Sequence, residues 1–496
     1  MMDLPQWEWW SLRGCLHIAA FLLVTAHSLQ TRREPTSTLL WMFIAFLFPI
    51  VGPLLYVAVG VYRVPRKGWR KHLRNQELLA HRRAREEAGL PLAYWRAVHS
   101  ALATEPSTPF ARELDRVMQV VLPDFPLLGG NRIRPLITGN QAYPAMLEAI
   151  RGAQHHVHFQ TFMLCNDEVG EQFLEALAER ARNGVRVRLL YDRFGSTHAV
   201  LGGLIRRFRG VANLQLVGWT QANPLKRQFQ INLRNHRKIM VVDGRTAFVG
   251  GINVHRENID TAAGPAIRDY HFEVTGPAVQ ELQYSFLRDW YFMTEEDPDV
   301  LLNQDLFPET APAGDALVRL ANSGPASEPE AFADIFFCCV TAARRQILAV
   351  TPYFVPPADI VRALRIAALR GVDVRLAAPQ KNNHVYAGMA GRSLYSELLE
   401  SGVRIFERPP PFMHAKALVV DDEVALVGTS NLDVRSLRLS YETNLAVFDS
   451  NFIEELKQIV LEEFAAAHEI ELSAWRRRPA LQKVAENFCF LLQPVL

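Results

Sequence analysis

The pattern of apolar and polar positions divides the chain into two regimes. Up to about residue 62 apolar residues run with few interruptions, and beyond it they fall into short alternating blocks. Residues 38–61 contain 24 consecutive positions without a charge, long enough to cross a hydrocarbon core. Pro49, Gly52 and Pro53 interrupt that run, which lipid-embedded helices tolerate better than soluble ones. The preceding segment, from about Trp9 to Leu29, is less apolar and carries Arg13, His17 and His27. Arg13 lies near its end, where a long side chain can snorkel to the interface. A cleavable signal peptide competes for this segment, but Arg13 lies beyond two tryptophans and no clean A-x-A site follows. The expectation is a hairpin of two transmembrane helices in residues 1–62. One span plus an interfacial helix, or buried soluble helices, are the alternatives.

Past residue 62 the blocks read as α/β structure. HHVHFQTFML reads as a buried strand, EVGEQFLEALAERARNG as an amphipathic helix ending at Gly184, and VRVRLLYD as the next strand. The same order returns as RQILAVTPYF, a helix over ADIVRALRIAALRG ending at Gly371, and VDVRLAAP. NGVRVRL and RGVDVRL are visibly cognate. Strand–helix–strand alternation predicts a mixed or parallel sheet flanked by helices. The expected division is a basic juxtamembrane helical linker over 63–125, a first α/β half over 126–300 and a second over 315–496. The join falls within 296–330, rich in Pro, Ala, Ser and acids. The tail WRRRPALQKVAENFCFLLQPVL is either a membrane-surface amphipathic helix or one packed on the catalytic body.

Each half carries one copy of a short polar pattern. In HRKIMVVD, His236, Lys238 and Asp243 are followed by Gly250 and Asn253, 14 and 17 residues after the histidine. In HAKALVVD, His414, Lys416 and Asp421 are followed by Gly428 and Asn431 at the same offsets. One H-x-K-x-x-x-x-D is a weak signal, but two with matching Gly and Asn point to a duplicated unit sharing one site. VVDGRTAFVGGIN reads as strand, Asp-Gly turn, strand, so each motif is expected on a β-hairpin. Residues i and i+2 of a strand share a face, which sends His236 with Lys238 and His414 with Lys416 toward a common point. Two imidazoles, two ammoniums and two amides suit a phosphodiester: nucleophile, acid/base and charge stabilisation, with no metal required. Asp243 and Asp421 belong to the motif but sit at turns, off that face, which makes them structural.

Composition agrees. The 496 residues allow two or three domains, and a net charge of +2 argues against a dedicated nucleic-acid binder. Five cysteines (Cys15, Cys165, Cys338, Cys339, Cys489) show neither paired nor zinc-type spacing, and Cys338 and Cys339 sit in the apolar run DIFFCCV as buried thiols. Only Arg32 and Arg33 lie between the expected spans, against nine Arg and Lys within residues 63–85. Positive-inside orientation then puts both termini and the long C-terminal part in the cytoplasm. The basic stretch either holds anionic lipid headgroups or is a solvated flank that sets topology.

The double motif resembles the phospholipase D superfamily, and within it the bacterial cardiolipin synthases. The resemblance runs from about residue 30 to the C-terminus. It rests on RREPTSTLLWMFIAFLFPIVGPLLYVAVG (32–60), NDEVGEQFLEALAERARNGVRVRLLYDRFGS (166–196), NHRKIMVVDGRTAFVGGIN (235–253), TPYFVP (351–356), RGVDVRLAAP (370–379) and FMHAKALVVDDEVALVGTSNLDVRSLRLSYETNLAVFD (412–449). The N-terminal R-x-P…W…P-x-x-G…Y…G pattern is specific to that subfamily, whereas the catalytic motifs mark only the superfamily. It implies two phospholipase D-like α/β/α halves forming one pseudo-symmetric catalytic unit behind the membrane hairpin.

The resemblance also implies roles. Asn253 and Asn431 would bind the phosphate. Asp269 and Glu442, each following one motif, would orient that motif's histidine, with Glu273 a competitor in the first half. His236 would be the nucleophile and His414 the acid/base, a choice on which the residues themselves are symmetric. The implied reaction moves a phosphatidyl group from one phosphatidylglycerol to another without cofactor or metal, in an inner-membrane, multi-pass protein whose catalytic part is cytoplasmic. His255-Arg256 after GGIN and Ala266-Ile267 before Arg268 depart from the common pattern on the acceptor side. A hydrolytic phospholipase D, another donor or alcohol acceptor, a nuclease and a non-enzymatic scaffold are the alternatives.

Overall fold

The computed structural model describes residues 6–31, 35–60, 64–88, 105–219, 234–325 and 331–493. The chain forms two compact units, residues 1–67 and 68–496.

In the first unit, Gln6–Gln30 and Pro35–Leu47 are α-helices, followed by the short helix Val51–Leu55 and a π-helical turn Tyr56–Gly60. The run expected as one span is therefore three segments. Among the described residues no helix is both long and apolar enough to cross a membrane. The break has a local cause, since Pro49 lacks a donor and Pro53 cannot continue the hydrogen-bond ladder. Gly52 packs so closely on Ile44 that a Cβ would overlap its carbonyl oxygen. The polar residues that weakened the first segment find partners inside this unit: His17 Nε2 lies 3.2 Å from the Ala45 carbonyl, and His27 Nδ1 2.6 Å from the Tyr56 hydroxyl. Leu22, Leu23, Leu40, Phe43, Ile50 and Leu54 face outward.

The second unit is built on a 15-stranded sheet. The first half supplies β1 (Leu127–Ile137), β2 (His156–Thr161), β3 (Arg186–Asp192), β4 (Leu214–Trp219), β5 (Ile239–Val242), β6 (Thr246–Gly250) and β7 (Tyr270–Thr275). The second supplies β8 (Ala316–Ser323), β9 (Gln346–Val350), β11 (Asp373–Pro379), β12 (Arg404–Arg408), β13 (Ala417–Val420), β14 (Val424–Gly428), β16 (Glu442–Phe448) and β17 (His468–Glu469). A separate two-stranded ribbon pairs β10 (Phe354–Val355) with β15 (Leu432–Asp433). The order β17-β12-β11-β9-β13-β14-β16-β8-β1-β7-β6-β5-β2-β3-β4 shows the duplication, with β1 and β8 paired antiparallel where the halves meet.

Both predicted strand–helix–strand units are present. β2 and β3 run parallel around the helix Glu168–Arg182, and β9 and β11 around Ala358–Leu369. Asp167 caps the first helix by accepting from Gly170 N, and Gly184 after it takes φ +93°, which a Cβ would strain. Each half buries its own aliphatic core. That of the second also takes in Phe110, Leu114 and Met118 of the helix Pro109–Val121, from the stretch read as linker in the sequence.

The basic stretch is not simply a flank. In the helix Val64–Glu87, Lys71 and Arg82 are buried, Lys71 Nζ 2.8 Å from Asp289 and Arg82 3.3 Å from Glu281, while Arg74 and Arg85 pair with Glu295 and Asp299. Among the described side chains of this stretch, Arg70 and Arg83 are exposed, as headgroup binding requires. Burial lowers the Lys71 pKa to about 8, although Asp289 works against it. Asp289, itself buried, lies well below the carboxylate range because Arg237 and Lys71 outweigh the burial that would raise it. Lys71→Met breaks this buried pair, and we expect a loss of about 3 kcal/mol in stability, measured by denaturant-dependent proteolysis of the full chain. A change under about 0.5 kcal/mol would mean the pair contributes no more than a surface one.

Candidate active site

The repeated motifs lie just before the hairpins β5–β6 and β13–β14. Their glycines have a steric reason. Gly250 and Gly428 close the second strand of each hairpin at φ +155° and +152°, and a Cβ would overlap Tyr270 O and His271 Cα, or Thr443 O and Asn444 Cα. The aspartates are remote from the histidines, at the far ends of β5 and β13. Asp243 takes φ +51° and accepts from the backbone N–H groups of Gln154, His155 and His156 at 2.7–2.8 Å. Asp421 takes φ +54° and accepts from Arg344, Arg345 and Gln346 at 2.6–2.8 Å. Both tie a turn to the start of a neighbouring strand, so of the motif residues only the histidines and lysines reach the site.

The backbone then crosses the halves. His236 N donates to Tyr441 O at 2.9 Å, next to Glu442, and His414 N donates to Arg268 O at 2.7 Å, next to Asp269. The acids consequently serve the opposite motifs. His236 Nδ1 lies 2.9 Å from Glu442 Oε2, and His414 Nδ1 lies 2.6 Å from Asp269 Oδ2. This corrects the within-motif pairing expected from sequence order, and it does so because each motif segment is hydrogen-bonded to the other half's acid-bearing segment. Glu273 is no competitor, since it pairs with Arg134 on the surface.

Lys238 Nζ donates to His236 O at 2.8 Å, and Lys416 Nζ lies 2.8 and 3.2 Å from the two ring nitrogens of His414. Asn253 and Asn431 are buried nearby in sequence; the Asn253 side-chain oxygen accepts from Met163 N at 3.2 Å, and the Asn431 oxygen has no partner among the described residues. Residues outside the repeated motifs complete the walls. Phe162 packs edge-on against His236, and Tyr353 and Phe412 flank His414. Phe162 and Tyr353 sit in QTFM and TPYF, equivalent turns in which Thr161 and Thr351 each donate to the carbonyl two residues on, at 3.0 Å. Arg237, the variable residue of the first motif, donates to Glu442 O at 3.0 Å and to Asp289 at 2.9 Å, while Asn235 and Gln160 donate to the other Asp289 oxygen. A cavity of about 360 Å³ beside Pro352 is lined by Lys381, Asn382 and the Arg392–Glu407 ion pair.

The electrostatics are asymmetric. Burial, reinforced by Lys238 and Lys416, holds His236 well below its usual pKa. Burial and Lys416 lower His414 to about 3, so both imidazoles are neutral near pH 7. Burial lowers Lys238 to about 7 and Lys416 to about 8. Glu442 is pushed up to about 7 by burial, which Lys238 and Thr429 only partly offset. Burial also acts to raise Asp269, but Lys416 and His414 outweigh it and hold the carboxyl below its ordinary range. Each histidine responds to the lysine of the other motif, so the two motifs share one site. No group of three metal-ligating side chains occurs among the described residues.

A two-motif His-Lys site on a duplicated α/β fold defines a phospholipase D-type enzyme. The family model "Cardiolipin synthase, PLD-like domain" matches residues 146–290 and 337–464, and "Phospholipase_D-nuclease N-terminal" matches 18–60. A cardiolipin synthase of Geobacillus kaustophilus is 35% identical over 98% of this chain and 93% of its own length, and cardiolipin synthase A of Pseudomonas fluorescens 34% over 97% and 99%. The chain belongs to the cardiolipin synthase family of phospholipase D-like enzymes. A phosphatidylserine synthase from Haemophilus influenzae shares the fold, with a TM-score of 0.61 at 15% identity over 77% of this chain and all of that one.

Proposed function

We propose that this enzyme joins two phosphatidylglycerol molecules into cardiolipin and free glycerol through a phosphatidyl-histidine on His236. His236 Nε2 attacks phosphorus, the bond to one glycerol oxygen breaks, and His414 gives that oxygen its proton. His414 then removes a proton from the terminal hydroxyl of the second phosphatidylglycerol, whose oxygen attacks phosphorus and releases His236. The lysines and the Asn253 and Asn431 amides stabilise the phosphoryl oxygens. The crossed carboxylate–imidazole pairs carry this reading, because they align two rings for complementary roles. His414 is neutral before substrate binds, so it takes its proton from solvent as the phosphodiester anion enters; that anion and the ionised Asp269 favour the imidazolium against burial and Lys416. Glu442 only has to hold the His236 Nδ1–H so that Nε2 presents its lone pair.

Residues 1–60 serve as an inner-membrane anchor of two membrane-inserted segments, with the catalytic unit in the cytoplasm. The outward-facing leucines and phenylalanines of this unit and the nine basic positions in 63–85 support that reading. Membranes carrying the protein should convert labelled phosphatidylglycerol into cardiolipin with release of one glycerol. Phosphatidic acid in place of cardiolipin would make it a hydrolase that admits water, and neither product would exclude phosphatidylglycerol as donor.

A further inference from the structure

The C-terminal helix Ala480–Phe490 is amphipathic in the wrong sense for water. It buries Glu486, which accepts from Arg478 at 3.0 Å and Gln482 at 2.8 Å, and sets Cys489 Sγ 4.0 Å from Met389 Sδ. Outward it turns Leu481, Val484, Phe488 and Leu491, between 63% and 80% exposed, at spacings of three, four and three that align on one helix face. Single exposed apolar residues are ordinary, but an aligned stripe on a helix that hides its own glutamate marks a contact surface.

We infer that this stripe is a lipid-surface contact that seats the catalytic unit on the bilayer holding its substrate, an inference resting on the phospholipid reading above. Two observations select lipid. Arg477 and Lys483 place positive charge at the start of the helix, the sign that an anionic headgroup layer complements. The helix that carries the stripe also packs on an element that leads to the site. The helix packs on Val385–Ser393, and Gln493 just beyond it donates to Pro356 O at 2.8 Å. Val385 and Tyr386 are exposed on the partner helix, and a row of rings runs from Tyr386 to His384, Tyr353 and His414 at centroid separations of 5.6, 5.7 and 6.2 Å. An apolar stripe, basic at one end and joined by aromatics to the acid/base histidine, is suited to a phospholipid reaching the site from the bilayer plane.

The test uses the full chain in phosphatidylglycerol vesicles with a benzophenone amino acid at position 484. Irradiation should add lipid mass to the chain. A chain-to-chain crosslink would make the stripe a subunit interface, and an adduct to neither would leave it facing water; either result overturns the inference. In parallel, the triple variant Leu481→Gln, Val484→Gln, Phe488→Gln should lose roughly tenfold in transfer on vesicles and stay within about twofold of the parent on detergent-dispersed phosphatidylglycerol. Equal loss in both, or loss in neither, also overturns it. A parent chain that makes no cardiolipin in detergent would overturn the proposed reaction, while the crosslink still reports on the docking.

Discussion

His236→Ala and His414→Ala are each expected to lower cardiolipin formation by about 10⁴-fold or more, because one removes the nucleophile and the other the proton carrier. The two variants should differ on a phosphatidyl ester whose leaving group is p-nitrophenol. That leaving group departs as a stable anion and needs no proton. With His414→Ala, His236 can still attack, and its neutral imidazole, held so by burial and the two lysines, is already the reactive form. The second step then lacks a base. The expected result is a burst of about one p-nitrophenol per enzyme, followed by a stalled, acid-labile phosphatidyl-histidine on His236. His236→Ala should give no burst. The reverse pattern, with the adduct on His414, would exchange the two roles while leaving the site intact.

Glu442→Gln should lower activity by about 10³-fold and reshape its pH profile, because Glu442 selects the His236 tautomer. The sign follows from the direction of the shift. Glu442 is raised to about 7, so above that pH it is a carboxylate that accepts the Nδ1–H and leaves Nε2 free to attack. As pH falls through about 7 the acid protonates, donates to Nδ1 and moves the ring proton to Nε2, where it blocks attack. The lysines act in the opposite direction, since Lys238 and Lys416 lose their charge as pH rises through about 7 and 8. At saturating substrate, where His414 carries its proton, kcat against pH should therefore be a narrow bell near neutrality, its limbs belonging to the coupled set. Glu442→Gln should flatten the acid limb. Asp269→Asn should leave that limb in place while lowering the rate, because Asp269 is already ionised throughout the range. An unchanged acid limb in Glu442→Gln would remove Glu442 from control of the tautomer.

The residues of the candidate site were legible in the sequence because they recur as fixed residue types at fixed spacing. His, Lys, Gly and Asn recur at the same offsets in both halves, and the strand–helix–strand blocks carry their own periodicity and terminal glycines. The structural reading of Asp243 and Asp421 was also available, because an Asp at a turn is positioned to accept backbone N–H groups, as both do. Resemblance supplied Asp269 and Glu442 as acids of the site. Which histidine each one serves was not written in the order along the chain.

That choice belongs to tertiary structure. Arg268–Asp269 pairs with the 412–414 segment, and Tyr441–Glu442 with 234–236, so the site exists only where the two halves meet. The same holds for Phe162 and Tyr353, ordinary aromatics in a one-dimensional reading, and for Lys71, which looks like one more basic residue of a topogenic flank until Asp289 is seen 2.8 Å away. It holds again for the C-terminal helix, whose periodicity shows an apolar stripe but not which face meets the protein. Local pattern and composition determined the elements, the duplication and which His and Lys residues recur, because backbone propensity and side-chain chemistry are properties of neighbours in sequence. The crossed pairing, the asymmetric carboxyls and the inverted helix were decided by long-range packing, because charge, burial and hydrogen-bond reach depend on what folding brings near.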